Sequence, residues 1–320
     1  MWRVQSEPKL YMQGRKTTTQ VKAERKGVEL EKLKRKMEFV GEQLGKQTNS
    51  QCSTLVLPAL SIGNVAQLAL DLLISSTGAD RVGYLDDPHV LPCVGNDAYG
   101  PLPQGTLALP LEVYDLVSSN LTFIQQRSPV VKGKMIQFAE NLADFAVATG
   151  KTHVIVLSSL DFGRWKRVDM SSGLQIHYLS SSNANGMDVK CESIGWKKLQ
   201  EYNPAQRRWK YLSNIVEGND LKEEVSLFDD DLEEEDEDYY ASLPFAALYS
   251  CFKSRGLKVT CLLCYCSEGD NMPDSFGLAE AACKLLRLTP TSFHGNGDSR
   301  WAIPLSWKSV YGPPPDMSLF

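Results

Sequence analysis

The feature that most constrains this chain is the run Thr54-Leu55-Val56-Leu57-Pro58-Ala59-Leu60, an apolar, β-rich stretch with the length of a buried strand. A helix start follows at once. In Ser61-Ile62-Gly63-Asn64-Val65-Ala66-Gln67, glycine permits a tight turn and Asn64 is placed to cap the first free amides. Gln67, three residues on, is placed to complete a capping-box-like exchange. Val65, Leu68, Leu72 and Leu73 then share one helical face, and Thr77-Gly78 ends the helix before a second strand at 81–85, a β-α-β unit. Further strands are predicted at 111–116, 121–126, 152–157, 174–179 and 257–266, and helices at 134–149, 194–202, 243–254 and 273–288. Alternation of this kind predicts a three-layer α/β/α sandwich around a mixed, largely parallel sheet.

The flanks differ from this core. Residues 1–50 are polar and basic, a partly helical or disordered extension in which Leu30, Leu33, Met37, Val40 and Leu44 recur at helical spacing. Met37 opens a stretch of more globular composition, so the segment before it is either an optional extension or a basic arm for an acidic partner. Residues 51–310 form a single α/β domain, with 229–238 an almost unbroken acidic block that reads as a solvated loop. Residues 311–320 contain Gly312-Pro313-Pro314-Pro315 and form an extended tail. The formal charge of −5 therefore averages a basic start and an acidic block, and identifies no partner. Eight cysteines with no signal-type segment near Met1 point to reduced thiols and a cytoplasmic or nuclear protein. No apolar run approaches the roughly 18 residues of a membrane span.

Chemistry is hard to assemble from these residues. An acyl-transfer elbow of the form Gly-x-Ser-x-Gly is absent, as are the lysine-containing phosphate loop and the dinucleotide fingerprint. His89, His153, His177 and His294 lie in unrelated contexts, and Gly63-Asn64 reads as a structural turn rather than an anion cradle. Cys261, Cys264 and Cys266 fall on a strand, where Cys264 and Cys266 share one face and Cys261 the other, an arrangement unsuited to zinc. The acidic block lacks the spacing of a calcium loop. Residues 15–36 and Arg207-Arg208-Trp209-Lys210 are basic, but the acidic remainder and the lack of a reading motif argue against nucleic acid. No catalytic, metal-binding or cofactor-binding residue is predicted.

The segment Leu60-Ser61-Ile62-Gly63-Asn64-Val65-Ala66-Gln67-Leu68-Ala69-Leu70-Asp71-Leu72 resembles the opening of the proteasome assembly chaperone 2 family. Val82-Gly83-Tyr84, Pro92-Cys93-Val94-Gly95-Asn96, Gln126-Arg127-Ser128-Pro129, Val154-Ile155-Val156-Leu157-Ser158-Ser159, Ser267-Glu268-Gly269-Asp270-Asn271-Met272-Pro273-Asp274 and Arg300-Trp301-Ala302-Ile303-Pro304 follow in family order. The resemblance runs from 54 to 320 with a variable stretch at 161–237, and residues 1–36 match nothing in the family. It implies an α/β scaffold without catalysis or cofactor. Such a scaffold forms a heterodimer with proteasome assembly chaperone 1 and holds proteasome α-subunits while their ring forms. Family chaperones insert C-terminal tails between α-subunits through a hydrophobic-tyrosine-any pattern. Here Ser318 stands where the hydrophobe would be and Leu319 where tyrosine would be, with Phe320 last, and these three are the predicted partner-binding residues. The alternative is a small-molecule hydrolase or phosphorylase-like enzyme on the same sheet, which a convergent catalytic constellation would reveal.

Overall fold

A computed structural model of the chain describes residues 36–42, 48–100, 107–164, 174–200, 202–216, 244–289 and 301–310. Internal contacts divide the chain between Lys36 and Met37, and the fold below belongs to the second unit. Its strands are β1 (Glu38–Gly41), β2 (Thr54–Pro58), β3 (Asp80–Asp86), β4 (Leu111–Leu116), β5 (Leu121–Gln126), β6 (His153–Asp161), β7 (Ile176–Ser180), β8 (Lys197–Lys198) and β9 (Lys258–Cys266). Helices α1 (Val65–Thr77), α2 (Met135–Ala148), α3 (Val189–Ser193), α4 (Arg207–Val216), α5 (Pro244–Ser254), α6 (Met272–Leu286) and α7 (Leu305–Val310) lie between and after them.

Among the described residues the strands form one nine-stranded sheet in the order β1-β3-β4-β5-β2-β6-β9-β7-β8. The middle run β5-β2-β6-β9 is parallel, as is the outer pair β7-β8, whereas β1-β3, β3-β4, β4-β5 and β9-β7 are antiparallel. The sheet is therefore mixed, with its parallel character concentrated at the centre. There the strands are buried on both faces, as a parallel sheet requires.

Two apolar layers result. Leu55, Leu57, Val154, Val156, Cys261 and Leu263 pack with α2 and α5 on one face. Val56, Ile155, Leu157, Leu262, Cys264 and Cys266 pack with α1 and α6 on the other. The opposed placement of Cys261 and the Cys264/Cys266 pair follows from the two-residue period of β9. Trp301 and Trp307 belong to the second layer, flanking Phe276 of α6 at ring-centroid distances of 6.2 and 6.3 Å.

The structure departs from the expected elements in four places. The apolar positions Met37 and Val40 lie at a strand rather than on a helix: Glu38–Gly41 pairs antiparallel with β3, from Glu38 opposite Asp86 to Gly41 opposite Gly83, and Phe39 stacks on Phe145. Leu30, Leu33 and Leu44 lie outside the described residues. The helix expected at 194–202 is instead a turn after α3, followed by β8, because Gly195 takes φ 90°, where a helix cannot continue. The β2-α1-β3 unit does not place its strands side by side, since β5 and β4 lie between them. Asn64 does not cap α1: it sits at φ 52° with no side-chain cap bond, and Gln67 donates to Ala59 O at 3.5 Å rather than to a cap.

Candidate functional site

Adjacent parallel strands whose connections leave for opposite faces open a crevice at their carboxyl ends, where α/β sheets hold their ligands. β2 and β5 are such a pair, for β2 leads to α1 in one layer and β5 leads to α2 in the other. In this chain polar side chains from several elements meet beside the end of β5. Asp71 and Gln67 come from α1, Gln125 and Arg127 from the end of β5, Glu112 from the start of β4, and Tyr99 from the connection between β3 and β4.

Arg127 is the hub. Its Nε lies 2.5 Å from Glu112 Oε2 and its Nη2 3.1 Å from Asp71 Oδ1, with side-chain exposures of 17% for the arginine, 9% for Asp71 and 2% for Glu112. Nη2 also donates to the Tyr99 hydroxyl at 3.1 Å, that hydroxyl donates to Asp71 Oδ1, and the guanidinium lies over the Tyr99 ring. Gln125 Nε2 donates to Asp71 Oδ1 at 2.6 Å and to Gln67 O at 2.9 Å. Glu112 Oε1 extends the network to Arg81 Nη1 at 3.1 Å, and Arg81 Nη2 reaches Glu42 Oε1 at 2.7 Å. Burial is the largest single influence and opposes the charge on Arg127, but Asp71 and its other neighbours, Glu112 among them, together outweigh it, so its pKa is raised and it stays a cation. Burial first, then Asp71, holds the Tyr99 phenol far above its usual range, so it serves as a neutral donor. Such an array of matched, charge-assisted bonds fastens elements together; it offers no activated nucleophile.

The network clamps the long β3–β4 connection. Asp87 opens it by accepting from His89 N and from Asn141 Nδ2, both at 2.7 Å. Isolated bridges join Val90 to Val130 and Gly95 to Ala108. Ser128 Oγ donates to Leu91 O at 2.6 Å, Arg81 Nη1 to Leu107 O at 2.8 Å, and Ser306 N to Ala98 O at 3.0 Å. The connection so held displays Leu91, Val94 and Leu107 at 45%, 68% and 58% exposure.

The residues singled out from sequence fall as follows. Ser318, Leu319 and Phe320, the acidic block 229–238, the basic stretch 15–35 and His294 lie outside the described residues. His153 donates or accepts at Thr260 Oγ1 over 3.0 Å and is held at a pKa of about 4 by burial, with Lys258 adding. Burial also lowers His177, which meets Tyr265 edge-on. Burial raises the thiols of Cys251, Cys261, Cys264 and Cys266, so none is a poised thiolate. Among the described residues no group of three or more His, Cys, Asp or Glu is arranged to hold a metal. At Gly63, φ 59°, an added Cβ would lie 2.1 Å from Asn271 Oδ1, so this turn is packed by a side chain and is not an open cradle. Trp209 divides the basic run of α4, buried against Tyr202, Tyr249 and Phe245, and beside it Tyr202, Tyr249 and Lys253 line a cleft of about 290 Å³. No helix among the described residues is long and apolar enough to cross a membrane.

The Arg127 cluster was not anticipated. Its one visible sign was Asp71, which interrupts the apolar sequence of α1 and is 6% exposed.

A family model described as the PAC2 family matches residues 55–292. The chain is similar to proteasome assembly chaperone 2 of Homo sapiens, 31% identical over 265 residues that cover 81% of this chain and 91% of the relative. It is likewise similar to proteasome assembly chaperone 2 of Xenopus laevis, 32% identical over 269 residues, covering 81% and 92%. Among solved structures, Pyrococcus furiosus PbaA, an archaeal homolog of proteasome-assembly chaperone, superposes with a TM-score of 0.52 at 15% identity, covering 79% of this chain and 83% of that one. A protein of unknown function from Thermoplasma acidophilum gives 0.51 at 11% identity, covering 79% and 86%. At such identities the structural likeness speaks for the fold.

Proposed function

The chain belongs to the PAC2 family, and on that footing we propose that it is a proteasome assembly chaperone that works by binding rather than by catalysis. The observation that carries this reading is the similarity to chaperones named for proteasome assembly over about nine-tenths of their length. Its partner is proteasome assembly chaperone 1, with which it forms a heterodimer, and its clients are the α-subunits of the core particle, held while their ring closes. Ser318, Leu319 and Phe320 dock the tail against the ring, where the Phe320 ring offers an apolar anchor. The work takes place in cytosol or nucleus, where eight thiols stay reduced.

The internally paired Arg127 cluster supports the non-catalytic part. Arg127 is neutralised by Asp71 and Glu112, which leaves no free charge in the cluster to act on a substrate. A scaffold of this kind biases assembly through binding free energy alone, stabilising whichever α-subunit arrangement it contacts best.

Co-expression with proteasome assembly chaperone 1 and α-subunits, followed by size-exclusion chromatography, tests the proposal. A stable one-to-one chaperone complex that retains α-subunits is the expected result. A monomer that ignores both and turns over an ester or a nucleoside would establish the hydrolase reading instead.

A further inference from the structure

We infer that the cleft between α4 and α5 is a binding site for a small organic carboxylate, a ligand with one negative charge and a short apolar body. The site is independent of the chaperone reading. It lies in the apolar layer of α2 and α5, whereas Asp71 of the Arg127 cluster is carried by α1 of the other layer.

The sequence of α5 sets up one wall. Tyr249 and Ser250 precede Lys253 by four and three residues, so the three share a flank of the helix. From α4, Trp209 and Ser213, again four apart, face them. The Trp209 ring is nearly buried and meets Tyr202 at 4.8 Å and Tyr249 at 6.0 Å, both edge-on. The Tyr249 hydroxyl donates to Ser180 O at 3.2 Å and lies 3.4 Å from the Tyr202 hydroxyl. Interlocked rings of this kind make the cleft a preformed one, which costs a ligand little ordering of the protein.

The polar groups of the cleft are left unused by the fold. Ser250 is 6% exposed and lines the cleft, yet its hydroxyl makes no hydrogen bond to any described residue. Buried hydroxyls are ordinarily partnered, so an unpaired one facing a cleft points to something that enters it. Ser213, half-buried on α4, is unpaired in the same sense. Ser254 is different, since its hydroxyl donates to Cys251 O at 2.8 Å. Lys253 holds its ammonium 5.8 Å from the centre of the Tyr249 ring, and none of the described residues that line the cleft is acidic.

Two free hydroxyls and one unbalanced ammonium select the ligand. A water would satisfy the serines but not the charge. A carboxylate does both, with two oxygens to accept from Ser213, Ser250 and Lys253 and a single charge to balance the lysine. The closing turn of α5 carries about half a negative charge, which the full charge of Lys253 outweighs. A phosphate dianion would bring twice the charge that Lys253 balances and more acceptor positions than these donors meet. The aromatic walls receive the apolar body, and a volume of about 290 Å³ lies at the lower limit of small-molecule sites, which keeps that body short.

Isothermal titration calorimetry of the full chain with sodium benzoate tests the site. One-site binding with a Kd of about 1 mM or tighter is expected. Lys253→Met should weaken it about tenfold or more and Ser250→Ala about threefold to tenfold, both unfolding at the parent's temperature when benzoate is absent. Lys284→Met, at an exposed lysine of α6 in the other layer, should bind as the parent does. Absence of saturable binding overturns the inference. So does equal affinity in the parent, Lys253→Met and Ser250→Ala, which would put benzoate elsewhere on the chain. Inorganic phosphate that binds as tightly as benzoate and competes with it would assign the cleft to oxyanions at large and overturn the ligand class. A glutamate-rich peptide that binds there more tightly than benzoate would overturn the small-molecule reading.

Discussion

Arg127 shows how much of this fold depends on one side chain holding two carboxylates. Removing it leaves Asp71 and Glu112, nearly inaccessible to water, without their shared counter-charge, and Arg81 reaches only Glu112. Arg127→Met should therefore cost about 3–5 kcal/mol in urea unfolding, and Tyr99→Phe, which deletes one hydroxyl, about 1 kcal/mol. His153 sets an acid limit. Its pKa is about 4 when folded against 6.5 ordinarily, so between those values the unfolded chain binds the extra proton. Stability thus rises with pH through this window and is lost as pH falls from about 6.5 toward 4. His153→Gln should flatten that part of the stability–pH curve relative to the parent. These roles were poorly legible beforehand. Asp71 was visible as a carboxylate in an apolar helix, but its partners Tyr99 and Arg127 lie 28 and 56 residues away, and pairing at such separations leaves no local pattern.

At the scale of elements, the central strands and their flanking helices were legible because burial imposes a period on each. An uninterrupted apolar run has to be a covered strand, and α1 and α2 carry helical stripes. β1 was misread because Met37 and Val40 fit a three-residue spacing, while what decides its state is pairing with β3 some forty positions on. Gly83 makes the pairing close, since a Cβ there would lie 2.3 Å from Val40 O. A chain beginning at Met37 should keep the stability of the full chain. One beginning at residue 43 loses Phe39 from Phe145, Met37 from the core and Glu42 from Arg81, and should be about 2–3 kcal/mol less stable by thermal or urea unfolding. Equal stability of the two truncations would show that β1 is dispensable.

At the scale of the whole molecule, the C-terminal segment 301–310 is built into the fold. Trp301 and Trp307 seal one apolar layer, and Ser306 fastens to Ala98. Deleting Ser318, Leu319 and Phe320 should weaken capture of the α-ring in a binding assay and leave pairing with the partner chaperone unchanged. Deletion from Trp301 onward should impair both. Strand order was the least legible property at this scale, because alternation of elements dictates layers but not which strands become neighbours. That order has a consequence in time. β6 and β9 pair along their whole lengths, with His153 contacting Thr260 across 107 residues. At ordinary translation rates, about 5–20 s separate the emergence of the two strands, and through that interval the nascent chain carries an apolar strand with an unmatched edge. A protein proposed to shield others during their assembly is itself, while being synthesised, in need of the same service.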